Sequence, residues 1–370
     1  MPTEICRRLG IQYPIFAFSH CRDVVAAVSK AGGLGVYGCS LQTPELIGVD
    51  LDWIEAQLDG RPYAIDILLS ETVDAEPDLP PSPTHRAFLD GVMARHAVPE
   101  DPEGIGDLHG NIGITKLSPA QNREVLELAF AHRAKVLVSA LGTPERAVVE
   151  RAHKAGMLVG ALAGKAKHAM KHKAAGCDFV VAQSWEAGGH TGEIGGMVLI
   201  PEVVDAVAPL PVLAAGGIGG GRQMAAALAL GAQGVWCGSV WLTSTESETL
   251  PVIKQKLLAA GSDDTTRSRC WTGKPVRMLK SGWTAEWEAP GAPAPLPAPH
   301  QTQLIGPYYR RASAASAGAT SYAGGPAALV TTPVGQVVGL MREPMSVKRI
   351  VQDMIDEFVA TTERLGALME

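Results

Sequence analysis

The chain has 370 residues, with 32 Lys and Arg against 38 Asp and Glu, a formal charge of −6 and an isoelectric point near 6.0; it lacks the positive field that a nucleic-acid backbone demands. Hydrophobic residues make up 46% of it and aromatic residues 5%, with 41 glycines, a balance that excludes general disorder and suits a tightly packed α/β enzyme acting on small molecules. No apolar run approaches the roughly 18 residues of a membrane span, and the opening MPTEICRRLG has no signal-like apolar stretch, so no membrane association and a cytoplasmic location are expected.

In chain order, short apolar runs bounded by Gly, Pro or polar residues occur at 14–19, 33–39, 63–70, 135–141, 158–164, 179–184, 211–217 and 234–242. They are near-continuously apolar rather than alternating, as strands of a parallel sheet buried on both faces are. Between them lie segments with apolar spacing of three and four, among them RDVVAAVSKA, TPELIGVDLDWIEAQL, TPERAVVERAHKAG, PEVVDAV and RQMAAALALGA. Several open with Ser/Thr-Pro, a cap followed by proline at the first helical position. The repeat predicts an α/β fold, a (β/α)8 TIM barrel over residues 1–250, with an open doubly wound sheet as the alternative.

Two segments break the rhythm. Residues 71–117, after strand three, are too long for an ordinary connection and hold one helix-like piece, 85–98; a lid over the site is expected there. Residues 251–370 form a mainly helical C-terminal extension with a Pro/Ala-rich linker at 289–299. Its closing helix, 346–369, carries Ile350, Val351, Met354, Ile355, Phe358 and Leu365 on one side, a face expected to pack on the barrel or on a second subunit of a homodimer. The six cysteines, Cys6, Cys21, Cys39, Cys177, Cys237 and Cys270, show no CxxC spacing and predict neither a metal site nor a disulfide framework.

In a barrel the active site is built at the strand ends and the loops after them. AQSWEAGGHTGEIGG, 182–196, follows strand six and places Gln183, Glu186, Gly188, Gly189 and His190 at the mouth. Two bare glycines let a flat ring approach the backbone. An imidazole, with a pKa near working pH, suits proton transfer beside such a ring, so His190 is the candidate catalytic residue. AAGGIGGGRQ after strand seven and CGSVW after strand eight offer the backbone N–H groups of Gly216, Gly217, Gly238 and Ser239 to a phosphate. Arg222 stands where GxGxxG needs its last glycine, which excludes a Rossmann dinucleotide site. Together these features suggest flavin mononucleotide. His20 after strand one and His109 in the lid are candidate substrate contacts, as is Trp185, whereas His153, His168 and His172, on helix-like pieces, read as solvated.

The combination PIFAFS…SKAGGLGVYG, AQSWEAGGHTGE and PVLAAGGIGGGRQMAAALALGAQGVWCGSVWL resembles the nitronate monooxygenases, formerly 2-nitropropane dioxygenases. The resemblance covers roughly residues 5–250 and runs on through TGKPVRML and GQVVGL. It implies a barrel binding FMN noncovalently, phosphate on Gly216, Gly217, Gly238 and Ser239, and the isoalloxazine against Ala17, Phe18, Ser19, Asp66, Gln183, Gly188 and Gly189. His190 matches the family's catalytic histidine. The implied reaction is oxidation of an alkyl nitronate by oxygen to a carbonyl compound and nitrite. Flavin-dependent enoyl-thioester reductases that use NAD(P)H share the EAGGH pattern and supply the alternative function. The chain departs from the family at Ala17-Phe18-Ser19-His20, in place of the usual Ala-Pro-Met turn, at Ser184 in place of Gly, and at Asp66 in place of Asn.

Overall fold

The computed structural model describes residues 3–39, 42–69, 82–101 and 119–369. Eight parallel strands close into a barrel in sequential order: β1 (Ile15–Ser19), β2 (Leu34–Gly38), β3 (Ala64–Ile67), β4 (Val136–Ser139), β5 (Leu158–Ala163), β6 (Phe179–Gln183), β7 (Val212–Ala215) and β8 (Gly234–Cys237). Closure is made by β1 on β8, with Phe16 opposite Trp236 and Ala17 opposite Cys237. All eight strands lie within the apolar runs recognised in the sequence.

The helices before and within the barrel are α1 (Glu4–Leu9), α2 (Arg22–Lys30), α3 (Pro44–Leu58), α4 (Pro83–Arg95), α5 (Pro119–Ala131), α6 (Arg146–Lys154), α7 (Ala166–Ala175), α8 (Gly196–Val207) and α9 (Gly221–Ala229). After the barrel come α10 (Pro251–Ala259), a hairpin of β9 (Thr265–Ser268) and β10 (Val276–Leu279), α11 (Gly282–Glu288), α12 (His300–Ala315), α13 (Gly325–Leu329) and α14 (Val347–Gly366). Cap chemistry explains several boundaries. The Ser82 and Ser346 hydroxyls accept from the N–H groups of His85 and Arg349, while α1 and α7 end on Gly10 and Gly176 in the left-handed region.

Side chains alternate along each strand. Phe16, Leu34, Val36, Ala64, Val136, Val138, Phe179, Val181, Leu213 and Trp236 fill the barrel interior, and Ile5, Cys6 and Leu9 of α1 join them, so α1 stoppers one end. Ile15, Ala17, Val24, Val28, Met224 and Ala227 pack between strands and helices, and Val347, Ile350, Val351 and Met354 of α14 join this layer. The closing helix therefore packs on the barrel, against α9 and α2. Leu365, expected on its buried side, is 43% exposed, because the helix has by then run past the surface it covers.

A second core lies in the extension. Val252, Leu257, Trp271, Met278, Trp283, Trp287, Ile305, Tyr309 and Val338 pack together, and α4 contributes Leu89, Val92 and Met93. The Glu286 carboxylate accepts from Arg95 Nη2 at 2.5 Å and meets His96 Nε2 at 3.0 Å. The helix expected in the lid is thus packed into the extension's core; residues 71–81 and 102–117, including His109, lie outside the described residues. The Pro/Ala-rich segment runs along this core, its Leu296 packed against it.

Two local expectations fail. His172 is 2% exposed, not solvated: its Nδ1 meets the Thr143 hydroxyl at 2.9 Å and its Nε2 the Leu162 carbonyl at 3.0 Å, which ties α7 to the loop before α6. Helix α8 starts at Gly196 and carries Pro201 inside it, where proline had suggested a start; as the sixth residue, Pro201 lies past the four N–H groups that lack an intrahelical partner, so its place there costs the helix one hydrogen bond. All six cysteines are free and buried, and no described helix is long and apolar enough to cross a membrane.

Candidate active site

The carboxyl ends of the strands meet the extension, and the site lies between them. On β1, Phe18 follows Phe16 on the inward face. Trp236 of β8 stacks on both rings, at 6.3 Å from Phe16 and 6.2 Å from Phe18, with interplanar angles of 18° and 23°, giving an aromatic floor. Alternation turns the neighbouring residues outward. Ala17 is fully buried in the strand-helix layer, and the Ser19 hydroxyl accepts from Cys21 N–H at 3.0 Å. Of the predicted ring-contact triplet, only Phe18 presents its side chain to the barrel; Ala17 and Ser19 can offer backbone alone.

His20 bends back over this floor. Its Nδ1 lies 2.7 Å from the Gly38 carbonyl, and its ring meets the Phe18 edge at 5.1 Å. Gly38 permits both rings, since a Cβ there would come within 2.8 Å of each. Desolvation lowers the His20 pKa, the carbonyl opposing it, which leaves a neutral imidazole donating through Nδ1. Beside it, Asp66 pairs in register with Gly38 and Val138 and is 1% exposed. Among the described residues, neither of its carboxyl oxygens has a hydrogen-bond partner. Burial drives its pKa well above the ordinary carboxyl value, which favours the neutral acid.

His190 is held by the extension. Glycine 189, at φ 78°, exchanges backbone hydrogen bonds with Arg277 of β10, 3.0 Å one way and 2.8 Å the other. His190 Nδ1 then lies 3.2 Å from the Pro275 carbonyl, and a carbonyl can only accept, so Nδ1 carries the proton and Nε2 is the free lone pair. The Thr272 hydroxyl stands 3.4 Å from Nε2. Solvent reaches the ring through the open mouth, yet the protein around it partly desolvates it, and Lys274 adds like charge. Both effects lower its pKa, against the Pro275 carbonyl. The arrangement presents a neutral base.

Gly188 has a different reason for being glycine than the one expected. A Cβ there would lie 2.7 Å from the Val334 carbonyl carbon and 2.8 Å from Gly335 N, so the extension, rather than a ring, presses on it. Gly335 N–H donates to Ser239 Oγ at 2.8 Å and Gln336 N–H to the Glu186 carbonyl at 2.9 Å. Gln183 sits on the inward face at the end of β6, two residues beyond Val181. Trp185 lies beneath two guanidiniums, Arg267 at 4.1 Å and Arg277 at 5.1 Å from its ring centre.

Gly216 and Gly217 take φ values of 91° and 71°, and a Cβ on Gly216 would come 2.4 Å from Ser184 Oγ. Both positive φ values mark a tight turn that glycine adopts without strain. After β8 a short 3-10 turn, Ser239–Trp241, begins next to Gly238. Among the described residues, none of the backbone N–H groups of Gly216, Gly217, Gly238 and Ser239 donates to a protein acceptor. The start of α9 is taken: Glu357 of α14 accepts from Arg222 N–H at 3.2 Å and from its Nε at 2.7 Å. Reasoning from the sequence missed the whole contribution of the hairpin, Thr272, Pro275, Arg267 and Arg277; the only signal was that TGKPVRML continued the resemblance.

Residues 5–357 match the family model for nitronate monooxygenase. A Mycobacterium tuberculosis protein named "Putative monooxygenase Rv1533" is 48% identical, with 100% of both chains covered. The structure of a nitroalkane oxidase from Streptomyces ansochromogenes is similar at a TM-score of 0.78 and 28% identity, over 96% of this chain and 98% of that one. FabK from Thermotoga maritima is similar at a TM-score of 0.74 and 25% identity, over 100% and 99%.

Proposed function

Since the chain belongs to the nitronate monooxygenase family, and so is an oxidoreductase, we propose that it binds FMN noncovalently and oxidises alkyl nitronates with oxygen to a carbonyl compound and nitrite. The observation that carries this reading is His190: a neutral imidazole whose tautomer is set by the Pro275 carbonyl, at the mouth of a barrel floored with aromatic rings. The residues present fit a flavin. The N–H groups of Gly216, Gly217, Gly238 and Ser239 would take its phosphate, with no helix start competing except the 3-10 turn itself. Phe18, Gln183 and the orphaned carboxyl of Asp66 would face its ring, and Asp66, being neutral, would not repel an anionic substrate. When bound, FMN accepts electrons from the substrate and passes them to oxygen.

The chain's own residues do the rest. Nε2 of His190 takes the carbon proton from a neutral nitroalkane and, once protonated, donates a hydrogen bond to the nitronate anion. Thr272 and Pro275 keep the imidazole in place, and Lys274 favours negative charge nearby. The second reading, an NAD(P)H-dependent reductase of an enoyl thioester, is supported by the shared EAGGH pattern and the likeness to FabK.

The test is anaerobic. Ethyl nitronate bleaches the flavin of the purified protein, nitrite forms once air enters, and NADPH alone does not reduce it; reduction by NADPH and not by nitronate would transfer the assignment to the reductase. Replacing His190 by Ala lowers the rate of reduction by nitroethane about 100-fold or more while the flavin stays bound. With the wild type, kcat/KM for nitroethane falls as pH drops below the lowered pKa of His190. A rate that instead rises in acid would mean that the imidazolium binds the substrate anion.

A further inference from the structure

Arg267 and Arg277 face one another directly across the β9–β10 hairpin, a placement in which like charges repel. Arg277 is 4% exposed, and no carboxylate forms a salt bridge with either residue among those described. What they do touch is the segment that carries His190. Arg277 Nε donates to the Trp185 carbonyl at 3.1 Å and its Nη1 to the Thr265 hydroxyl at 3.0 Å. Arg267 Nη2 donates to the Thr191 carbonyl at 3.4 Å. Both guanidiniums overlie the Trp185 indole, so the charges rest against its π face, and Arg277 Nη2 and Arg267 Nε have no acceptor among the described residues. Trp185, Gly189 and Thr191 bracket His190 on both sides.

We infer that Arg277, assisted by Arg267, is a positioning residue for His190: it clamps the segment 185–191 onto the hairpin so that Nδ1 of His190 meets the Pro275 carbonyl and Nε2 is left for the substrate. The fork of Arg277 is needed, because one side chain must reach a carbonyl on the loop and a hydroxyl on its own hairpin at once. The repulsion between the two arginines is offset by the indole between the hairpin and the barrel loop. The inference rests on the proposed role of His190 and adds that residues after 250 belong to the catalytic machinery. Loosening a base by even about 1 Å costs on the order of 100-fold in rate.

The experiment uses the full-length holoenzyme and the variants Arg277→Met and Arg277→Lys. Melting temperature and flavin content establish that each is folded and loaded. The 15N shifts of labelled His190 report its tautomer, and steady-state kinetics with nitroethane report kcat and KM. In Arg277→Met, kcat falls about 10- to 100-fold with KM changed less than about threefold, and the single tautomer gives way to a mixture. Arg277→Lys restores the charge but not the tautomer. A folded, loaded Arg277→Met with wild-type kcat and one His190 tautomer overturns the inference. If Arg277→Met does not fold, Thr265→Val carries the test, since it removes the hydroxyl that anchors the Arg277 fork: a mixture of His190 tautomers supports the inference, and a single tautomer with wild-type kcat overturns it. If the wild type fails to oxidise nitroethane, the functional reading fails, while the tautomer measurement still decides whether Arg277 sets the imidazole.

Discussion

Asp66 is the residue at which type and place conflict most. With both oxygens unpartnered among the described residues, between Gly38 and Val138, burial favours the protonated acid. Its pKa in the folded chain is raised above the unfolded value, so the folded state binds the proton more tightly. Its contribution to stability is therefore full in acid and is lost as pH rises from the unfolded pKa through the folded one. Asp66→Asn, neutral and nearly isosteric, removes this dependence. Melting curves at several pH values between about 5 and 9 should show the variant gaining on the wild type as pH rises; parallel curves would mean that Asp66 is ionised and paired. The acid at this strand end is visible in the sequence, but its charge state is not, because that depends on what the neighbouring strands β2 and β4 leave around it. The carbonyl of Pro275 is a starker case: a backbone oxygen has no residue type, so nothing in the sequence could mark it as the group that orients His190.

At the scale of elements, the strands were legible because burial on both faces leaves an uninterrupted apolar run, and so were helix starts marked by a cap and a proline, as at Thr43-Pro44, whereas others were not. Pro201 looked like the first residue of a helix that begins at Gly196, since the Gly-rich lead-in hides a turn that packing enforces. Nor does local sequence reveal that α14 closes the start of α9. Gly221 is glycine because a Cβ would lie 2.2 Å from both the Met354 carbonyl oxygen and Phe358 N, and Glu357 caps the exposed N–H of Arg222. Two substitutions separate these effects. Glu357→Ala removes a helix cap and costs about 1 kcal/mol, while Gly221→Ala forces the helices apart and costs more, about 1–3 kcal/mol. Denaturant titration of both variants measures the order; equal costs would mean that α14 yields freely.

On the scale of the whole molecule there are two apolar centres, the barrel and the extension, and the helix read as part of a lid belongs to the second. Trp283 is fully buried there, against Trp287 and Tyr309. Trp283→Ala should cost about 3–5 kcal/mol, and because Pro275, Arg277 and Gly335 all reach the site from this unit, flavin retention should fall with it. A variant that loses the stability but keeps flavin and turnover would show that the barrel assembles its site alone. The strand-end histidine and the glycine turns could be found from the sequence since a barrel fixes where its loops gather; the share contributed from some 80 or more residues further along arises from tertiary contact alone.

The burial of all six thiols, each with its pKa raised chiefly by desolvation, makes the folded chain silent to maleimides and iodoacetamides, which attack the thiolate. One cysteine introduced on an exposed face would then carry a dye or spin label without background. Any signal from the native thiols would in turn serve as a clock for opening of the fold.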